Sequence, residues 1–196
     1  MHRKAKIERK TNETDIRVEL NLEGTGKSVI KTGIGFFDHM LTSLSKHSLI
    51  DLKITAKGDL HVDEHHTVED VGICVGQALA KALGEKAGIQ RFGWAVCPMD
   101  EALTRVSLDL SGRPCLDWNF SMNLATIGSF HAETVPEFFQ GLAIGSAMTL
   151  HMDLIRGRNL HHAVESLFKS FAKALQQAVS VQSGNESVPS TKGTLT

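Results

Sequence analysis

The sequence has few cysteines and lacks any long hydrophobic run. Cys74, Cys97 and Cys115 are odd in number and form no C-x-x-C pair, which argues against a disulfide framework and a thiolate metal site. The basic start is followed by alternating polar residues, where a secretory signal would place its apolar core. No segment reaches the apolar length of a membrane span. We therefore expect a protein of the reducing cytoplasm.

Charge of one sign is also missing, because 21 basic and 22 acidic residues leave a formal net charge of -1. No overall field favours nucleic acid or an anionic membrane, so any phosphate group must be recognised locally. A chain of 196 residues that is 41% hydrophobic can form a packed core. Ten histidines are the compositional outlier.

Strand and helix patterns interleave along the chain. Apolar and polar residues alternate, as in half-buried strands, at 16–22, 50–54, 106–110 and 150–154. Helical spacing of apolar residues runs from Val68 to Ala82 and from Val164 to Val179, and shorter helices are expected near Phe36 and Phe138. This interleaving predicts an α+β or α/β fold.

The chain also repeats itself. Phe36-Phe37 and Asp51-Leu52 recur at identical spacing as Phe138-Phe139 and Asp153-Leu154. Such self-similarity indicates two copies of one supersecondary unit. We therefore predict that each copy contributes one helix-strand-helix unit, with additional strands before it.

A second repeated motif carries chemistry. The pattern His-His-x-x-Glu occurs at 65–69 and at 161–165, after an intervening loop that is six residues shorter by this alignment. We predict a first half over residues 1–90 and a second over 91–183. The Ser, Thr, Gly and Pro composition of 184–196 predicts a flexible tail that orders on substrate.

Helix geometry assigns roles within each motif. Residues four apart share a helix face, so His65 with Glu69, and His161 with Glu165, each form a nitrogen-plus-carboxylate pair for one metal ion. Adjacent residues point about 100° apart, so His66 is directed elsewhere.

His66 and His162 remain, one per copy. If an approximate two-fold relates the copies, each ion takes a pair from one copy and a lone histidine from the other, within one subunit or between subunits. His39 is a further ligand. Nitrogen and oxygen ligands without thiolate suit Mn, Fe, Zn or Ni and leave positions for substrate.

A single His-His-x-x-Glu motif is more often a solvated helix start than a metal site. Its recurrence at matching places favours metal, since packing does not demand paired histidines there. We interpret the two motifs as a two-metal centre.

Several longer motifs extend over nearly the whole chain. They are NET at 12–14, GIGFFDHML at 33–41, HVDEHHTVED at 61–70, RFG at 91–93, DLSGRP at 109–114, HH at 161–162 and PSTKG at 189–193. In combination they resemble the imidazoleglycerol-phosphate dehydratase family, lyases of histidine biosynthesis.

The resemblance implies a fold, a cofactor and an assembly. The fold is α+β with internally duplicated β-α-β units and helices between two mixed four-stranded sheets (ribosomal protein S5 domain 2-like). The cofactor is two Mn²⁺ per active site, with other divalent metals possible. The assembly is a 24-subunit shell of trimers with active sites between subunits.

The resemblance also implies site residues. The metal ligands would be His39, His65, His66, Glu69, Glu137, His161, His162 and Glu165. The substrate contacts would be Glu13, Arg91, Arg113, Lys169, Ser190, Thr191 and Lys192. Glu137 departs from the family pattern, in which many members have histidine, but a carboxylate still ligates through oxygen.

The implied reaction dehydrates D-erythro-imidazoleglycerol phosphate to imidazoleacetol phosphate. It removes a hydroxyl beside the imidazole ring and a proton that no carbonyl acidifies. Cations on both ring nitrogens would lower the N–H pKa, and the imidazolate would expel the hydroxyl. Glu13 would take the proton, in a catalytic set with His65, Glu69 and Glu165.

Two other functions fit the same ligands at this point. A two-metal hydrolase would release inorganic phosphate from a phosphate ester, or cleave an amide. A ferritin-like metal store would use similar carboxylate-histidine helices without turnover, although the interleaved strands argue against its helix bundle.

Overall fold

The computed structural model describes residues 3–123, 125–182, 184 and 186–195. Within these residues, ten strands and four α-helices follow one another. The first half contains β1 (Lys4–Lys10), β2 (Thr14–Asn21), β3 (Ser28–Lys31), α1 (Gly35–Ser48), β4 (Asp51–Gly58) and α2 (His65–Leu83). The second half contains β5 (Phe92–Met99), β6 (Ala102–Asp109), β7 (Cys115–Asn119), β8 (Thr126–Ile127), β9 (Phe130–His131), α3 (Val135–Ser146), β10 (Thr149–Arg156) and α4 (Leu160–Val179).

Two four-stranded sheets share one topology. Their strand orders are β1-β2-β4-β3 and β5-β6-β10-β7. In each sheet the first three strands are antiparallel neighbours, and the fourth is parallel to the third. The short β8–β9 hairpin stands between β7 and α3. The predicted α+β fold with duplicated units and two mixed sheets is confirmed, and the ferritin-like bundle is wrong.

The repeat is aligned differently from the sequence prediction. Leu49 and Ala147 follow directly after α1 and α3, and both are left-handed, with φ of 61° and 53°. Asp51 and Thr149 then begin the equivalent strands, opposite the last residues of β2 and β6. Asp51 therefore corresponds to Thr149 and not to Asp153.

Pairing Phe36-Phe37 with Phe138-Phe139 was wrong by one helical turn. A shift of four residues keeps an apolar stripe on the same helix face and the same strand face, so periodicity alone cannot detect it. In the corrected alignment, His39 in α1 corresponds to Glu137 in α3.

The helices lie between the sheets. α2 packs on β1 and β2, α4 packs on β5 and β6, and the two pairs α2–α3 and α1–α4 meet in the middle. The largest fully buried side chains include Phe37, Phe130, Phe138, Phe139, Phe168 and Phe171. One apolar core therefore joins both halves. No helix of the described residues is long and apolar enough to cross a membrane.

Glycines bring the backbones of α2 and α3 into contact. A Cβ added at Gly72 would lie 2.3 Å from the carbonyl oxygen of Phe138, and one at Gly145 would lie 2.4 Å from that of Ile73. Gly76 and Gly141 make similar approaches. Any side chain here must push the helices apart.

We expect Gly72→Ala to lower the free energy of unfolding by about 1–3 kcal/mol, because overpacking moves a rigid backbone. The shift in the urea unfolding midpoint measures the effect. Gly35→Ala is the control, since its Cβ would meet nothing within 4 Å. Equal midpoints for Gly72→Ala and the unmodified chain would contradict the close helix contact.

Candidate metal centre and substrate contacts

Three predicted ligands converge where the two halves meet. The Nε2 atoms of His39 and His161 lie 3.4 Å and 3.2 Å from the same carboxylate oxygen, Oε2 of Glu165. The three ligand atoms all lie within 4.8 Å of one another. His39 comes from α1, whereas His161 and Glu165 share the first turns of α4. The tertiary contact between α1 and α4 therefore assembles this group.

Local structure fixes the start of α4. Asn159 caps the helix, and its side chain accepts a hydrogen bond from the backbone N–H of His162 at 3.2 Å. His161 and Glu165 are then one turn apart on the same face. The ring of Phe36 lies edge-on to His161 with 5.1 Å between centroids, which fixes the imidazole from the other side.

Glu165 is a buried carboxylate with cationic neighbours. Its side chain is 10% exposed, and Lys169 donates to Oε1 at 2.8 Å. Burial pushes the pKa of Glu165 upward, but the Lys169 hydrogen bond, the charge on His39 and the His161 contact together bring it below its usual value. Oε1 is thus held by Lys169, while Oε2 faces the two imidazoles.

The neighbouring histidine points elsewhere, as predicted. The rings of His161 and His162 are inclined by 83°. Nδ1 of His162 lies 2.8 Å from Oε2 of Glu101, and its Nε2 lies 3.7 Å from Asp100. The hydrogen bond with Glu101 raises the pKa of His162, and the same bond lowers the pKa of Glu101 to about 2.

The first half forms a looser version of this arrangement. His65 and Glu69 lie 3.9 Å apart across one turn of α2. His66 turns away, and its Nδ1 lies 3.0 Å from Oδ2 of Asp59 and 4.0 Å from Oε2 of Glu13. The Asp59 hydrogen bond raises the pKa of His66. Among the described residues, only His39, His161 and Glu165 form a three-ligand group.

Glu137 is not brought into a ligand group with His65 and Glu69 among the described residues. It occupies the position in α3 that corresponds to His39 in α1, beside α2 instead of α4. Its role as a ligand stays a prediction.

Glu101, Asp100 and Asp59 were missed by the sequence analysis. Glu101 stands one residue before β6, as Glu13 stands one residue before β2. Both carboxylates face the lone histidine of their own half. Aligning the strands of the two halves would have identified Glu101 as the counterpart of Glu13. The same alignment could not have identified Asp59, because the equivalent residue of the second half is Gly157.

Most of the predicted phosphate contacts gather at a different place. Arg91 pairs with Asp109 through two hydrogen bonds of 2.7 Å and 3.0 Å, and Arg113 approaches the same carboxylate at 4.0 Å. Arg91 also donates to the carbonyl of Pro189 at 2.8 Å, which places the bend at Ser190, Thr191 and Lys192 beside it. Lys169, bound to Glu165, is not part of this group.

The metal and phosphate groups lie at opposite ends of α4. His161 is near the start of the helix, whereas the backbone N–H of Arg91 donates to the carbonyl of Ala178 near its end. At 1.5 Å per residue these ends are roughly 25 Å apart. One small ligand therefore cannot contact both groups of this chain.

The donor set suits a divalent cation. Ligand atoms about 2.2 Å from one ion, at right angles to each other, lie roughly 3.1 Å apart. The Nε2–Oε2 distances of 3.2 Å and 3.4 Å are close to that spacing. Two imidazole nitrogens and one carboxylate oxygen fit Mn, Fe or Zn.

Comparison with known proteins agrees with this geometry. The sequence profile of imidazoleglycerol-phosphate dehydratase matches residues 32–175. The chain is 57% identical, over 190 residues, to the imidazoleglycerol-phosphate dehydratase of Roseobacter denitrificans, and the match covers 96% of this chain and 97% of that protein. The chain belongs to the imidazoleglycerol-phosphate dehydratase family. It is thus an enzyme of a hydro-lyase family, as predicted.

Other family members support the same assignment. The protein from Caldanaerobacter subterraneus is 54% identical over 193 residues, covering 98% of this chain and all of that one. The crystal structure of imidazoleglycerol-phosphate dehydratase from Staphylococcus aureus has a TM-score of 0.83 and 39% identity, and the match covers 91% of this chain and 99% of that one. The Pyrococcus furiosus structure also has a TM-score of 0.83, with 40% identity over 96% of this chain and all of that one.

The Glu101–His162 pair predicts a pH-dependent stability of the metal-free protein. The raised pKa of His162 stabilises the fold below the usual histidine pKa of 6.5, and this contribution is lost as pH rises through the raised pKa. The lowered pKa of Glu101 stabilises the fold above 4.5, and this contribution is lost as pH falls toward about 2. The ion pair therefore stabilises the fold most between about pH 4.5 and pH 6.5.

We expect Glu101→Gln to lower the Tm more at about pH 5.5, where the ion pair with His162 is present, than at about pH 8.5, where the carboxylate still accepts the backbone N–H groups of Arg158 and Asn159. NMR titration should show a lower His162 pKa in the variant. Glu85→Gln removes an exposed carboxylate after α2 and is the control. A Tm loss of the same size at both pH values would refute the ion pair.

Proposed function

We propose that this chain dehydrates D-erythro-imidazoleglycerol phosphate to imidazoleacetol phosphate in histidine biosynthesis, with two divalent cations as cofactors. The observation that supports this most is the His39–His161–Glu165 group in a member of the dehydratase family. The repeated His-His-x-x-Glu motif supplies a second, corresponding set in the other half. A single-metal enzyme would have no use for this duplication.

The first cation would be held by His39, His161 and Glu165, and the second by His65 and Glu69, with Glu137 as the counterpart of His39. His66 and His162 face away from these groups, so they would complete the coordination of ions held by neighbouring subunits. Mn²⁺ suits a mixture of imidazole and carboxylate ligands with further oxygen from substrate. Zn²⁺ and Fe²⁺ accept the same ligands.

The reaction requires electrons from the substrate's ring, because no carbonyl acidifies the C–H bond that breaks. When bound, two cations supply positive charge that stabilises the deprotonated imidazole ring. Glu13 is exposed and stands 4.0 Å from His66, so it lies beside the proposed metal ligands. As an accessible carboxylate it would accept the proton from the carbon next to the one that loses its hydroxyl, and the resulting enol would convert to the ketone.

Phosphate recognition would use Arg91, Arg113, Lys169 and the bend Ser190-Thr191-Lys192. Arginine offers permanent charge and paired donors to phosphate oxygens. Arg91 is held by Asp109, which orients its guanidinium. Arg91, Arg113 and the bend lie at the far end of α4 from His161, so they would serve the metal group of another subunit, whereas Lys169 lies beside Glu165.

The surface also favours self-association, which we propose as a 24-subunit shell of trimers with active sites between subunits. On β5 the outer face carries Phe92, Trp94 and Val96, which are 47%, 61% and 52% exposed. The equivalent positions on β1 are charged, with Lys4 and Lys6 first in the row. An exposed apolar row on only one of two duplicated sheets is typical of a subunit contact.

Metal add-back tests the function. We expect chelator-stripped protein to lose ketone formation from imidazoleglycerol phosphate and to regain it with Mn²⁺. His39→Ala should lower kcat/KM at least about 100-fold, because it removes a ligand. His151→Ala, an exposed histidine of β10 beside Asp117, is the control and should keep full activity. The ketone product is measured directly.

Failure of every metal to restore activity would reject a metal-dependent mechanism. Release of inorganic phosphate without ketone would instead support the two-metal hydrolase.

Subunit mixing tests the location of the site. We expect His39→Ala and Arg113→Ala to be impaired separately and to recover about a quarter of the normal activity when unfolded together and reassembled in equal amounts. The reason is that a mixed site takes unmodified metal ligands from one variant and unmodified phosphate contacts from the other.

Reassembly of His39→Ala alone is the control and should recover nothing. An impaired mixture, despite confirmed exchange of subunits, would place each active site within a single chain.

A further inference from the structure

Lys86 is a buried lysine in the turn between α2 and β5. It is 8% exposed, and its ammonium donates to the carbonyl oxygens of Leu110 at 3.1 Å and Leu195 at 3.3 Å. A buried ammonium is costly unless hydrogen bonds replace its water. The interactions of Lys86 therefore go chiefly to backbone carbonyls from two distant segments.

One of these segments is the C-terminal tail. The Gly88 N–H donates to the carbonyl of Ser187 at 2.9 Å, Arg91 holds the carbonyl of Pro189, and Lys86 holds that of Leu195. Leu195 itself is 7% exposed. The described part of the tail thus lies against the turn after α2, with fixed points before and after residues 190–194.

Between these fixed points the chain forms a compact bend. The Gly193 N–H donates to the carbonyl of Ser190 at 3.0 Å, and the Lys192 N–H donates to the Ser190 hydroxyl at 3.2 Å. Thr191 and Lys192 are exposed. The bend therefore presents its polar groups outward, while both of its ends are attached to the protein.

The second segment held by Lys86 follows β6. Leu110 comes directly after Asp109, the carboxylate that orients Arg91, and just before the turn that carries Arg113. The ammonium of Lys86 therefore links the tail to the segment that positions Arg91 and Arg113. Removing it would free the tail end without removing any charge that faces outward.

The backbone at Lys86 adds a second observation. Its φ of 59° lies in the left-handed region, where glycine is most easily accommodated. Glycine at position 86 would remove the backbone strain but would lack the ammonium that binds the two carbonyls. The presence of lysine at a strained position therefore indicates a role for its side chain.

We propose that Lys86 is a positioning residue that holds the C-terminal bend at Ser190-Thr191-Lys192 ready to bind the substrate's phosphate. This inference rests on the proposed function. Fixing both ends of a short loop removes conformational entropy that phosphate binding would otherwise have to overcome. The hydrogen bonds of Lys86 go to backbone carbonyls and not to the proposed metal ligands or phosphate contacts, so its effect on phosphate binding passes through the tail.

Hydrogen exchange of the tail tests the positioning step without any assay of activity. We expect the 186–195 peptide to exchange faster in Lys86→Met, which keeps chain length but removes the donors, and to stay protected in Lys86→Arg. Lys81→Met is the matched control, because exposed Lys81 donates to the carbonyl of Lys6 and not to the tail. Unchanged exchange in Lys86→Met would overturn the inference.

Kinetics test the consequence. For the Mn²⁺-loaded enzyme we expect Lys86→Met to raise KM for imidazoleglycerol phosphate about tenfold, with kcat changed less than about twofold. Binding of imidazoleglycerol without phosphate should be unaffected. Lys86→Arg should restore KM. Equal losses for the phosphorylated and unphosphorylated compounds would assign Lys86 a general folding role.

Truncation after Thr194 removes Leu195, whose carbonyl accepts the hydrogen bond from Lys86. It tests the same interaction without changing Lys86, should Lys86→Met fold poorly. Combining the truncation with Lys86→Met should raise KM no further than either change alone. Additive effects would overturn the proposal. If the unmodified enzyme forms no ketone with any metal, the proposed function fails, while the exchange experiment still decides the role of Lys86.

Discussion

The contact on which the candidate centre depends is a buried carboxylate between two imidazoles. Glu165 cannot be buried alone at low cost, and Lys169 satisfies one of its oxygens while His39 and His161 approach the other. His39 belongs to the first half of the chain, and the other three residues belong to the second. The centre therefore exists only because α1 and α4 pack together across the duplication.

The long helix α4 imposes a second constraint. It carries the candidate metal ligands near its start, and a carbonyl in its last turn accepts the backbone N–H of Arg91. A rigid helix of this length keeps the two groups apart, whatever the side chains do. In the proposed assembly, the phosphate contacts and the outward-facing His162 would therefore serve sites shared with neighbouring subunits. The apolar row on β5 and the outward direction of His162 agree with that arrangement.

Duplication has left the two halves similar in backbone but different in chemistry. The sheets share their strand order and register, yet His39 corresponds to Glu137, and Lys4 and Lys6 correspond to Phe92 and Trp94. These differences lie at a candidate ligand position and at the surface. The core also differs in places, since buried Ile16 on β2 corresponds to buried Thr104 on β6. Thr104 is accommodated there because its hydroxyl hydrogen-bonds to Ser166 and Ser170 of α4.

The sequence by itself determined the local features. Periodicity indicated α2, α4 and the central strands, and helix geometry correctly paired His161 with Glu165 and separated His162 from them. Its motifs also indicated the family. Each of these inferences depends on residues close in sequence, whose relative directions follow from the regular geometry of one element.

Tertiary structure decided the rest. Only packing could show that His39 meets α4, that Glu101 faces His162 and that Lys86 reaches Leu195, because these residues are far apart in sequence. The alignment of the two halves also needed the helix ends and strand pairing, since a shift of one turn preserves the apolar pattern. Long-range contacts depend on how whole elements pack, which no local period encodes.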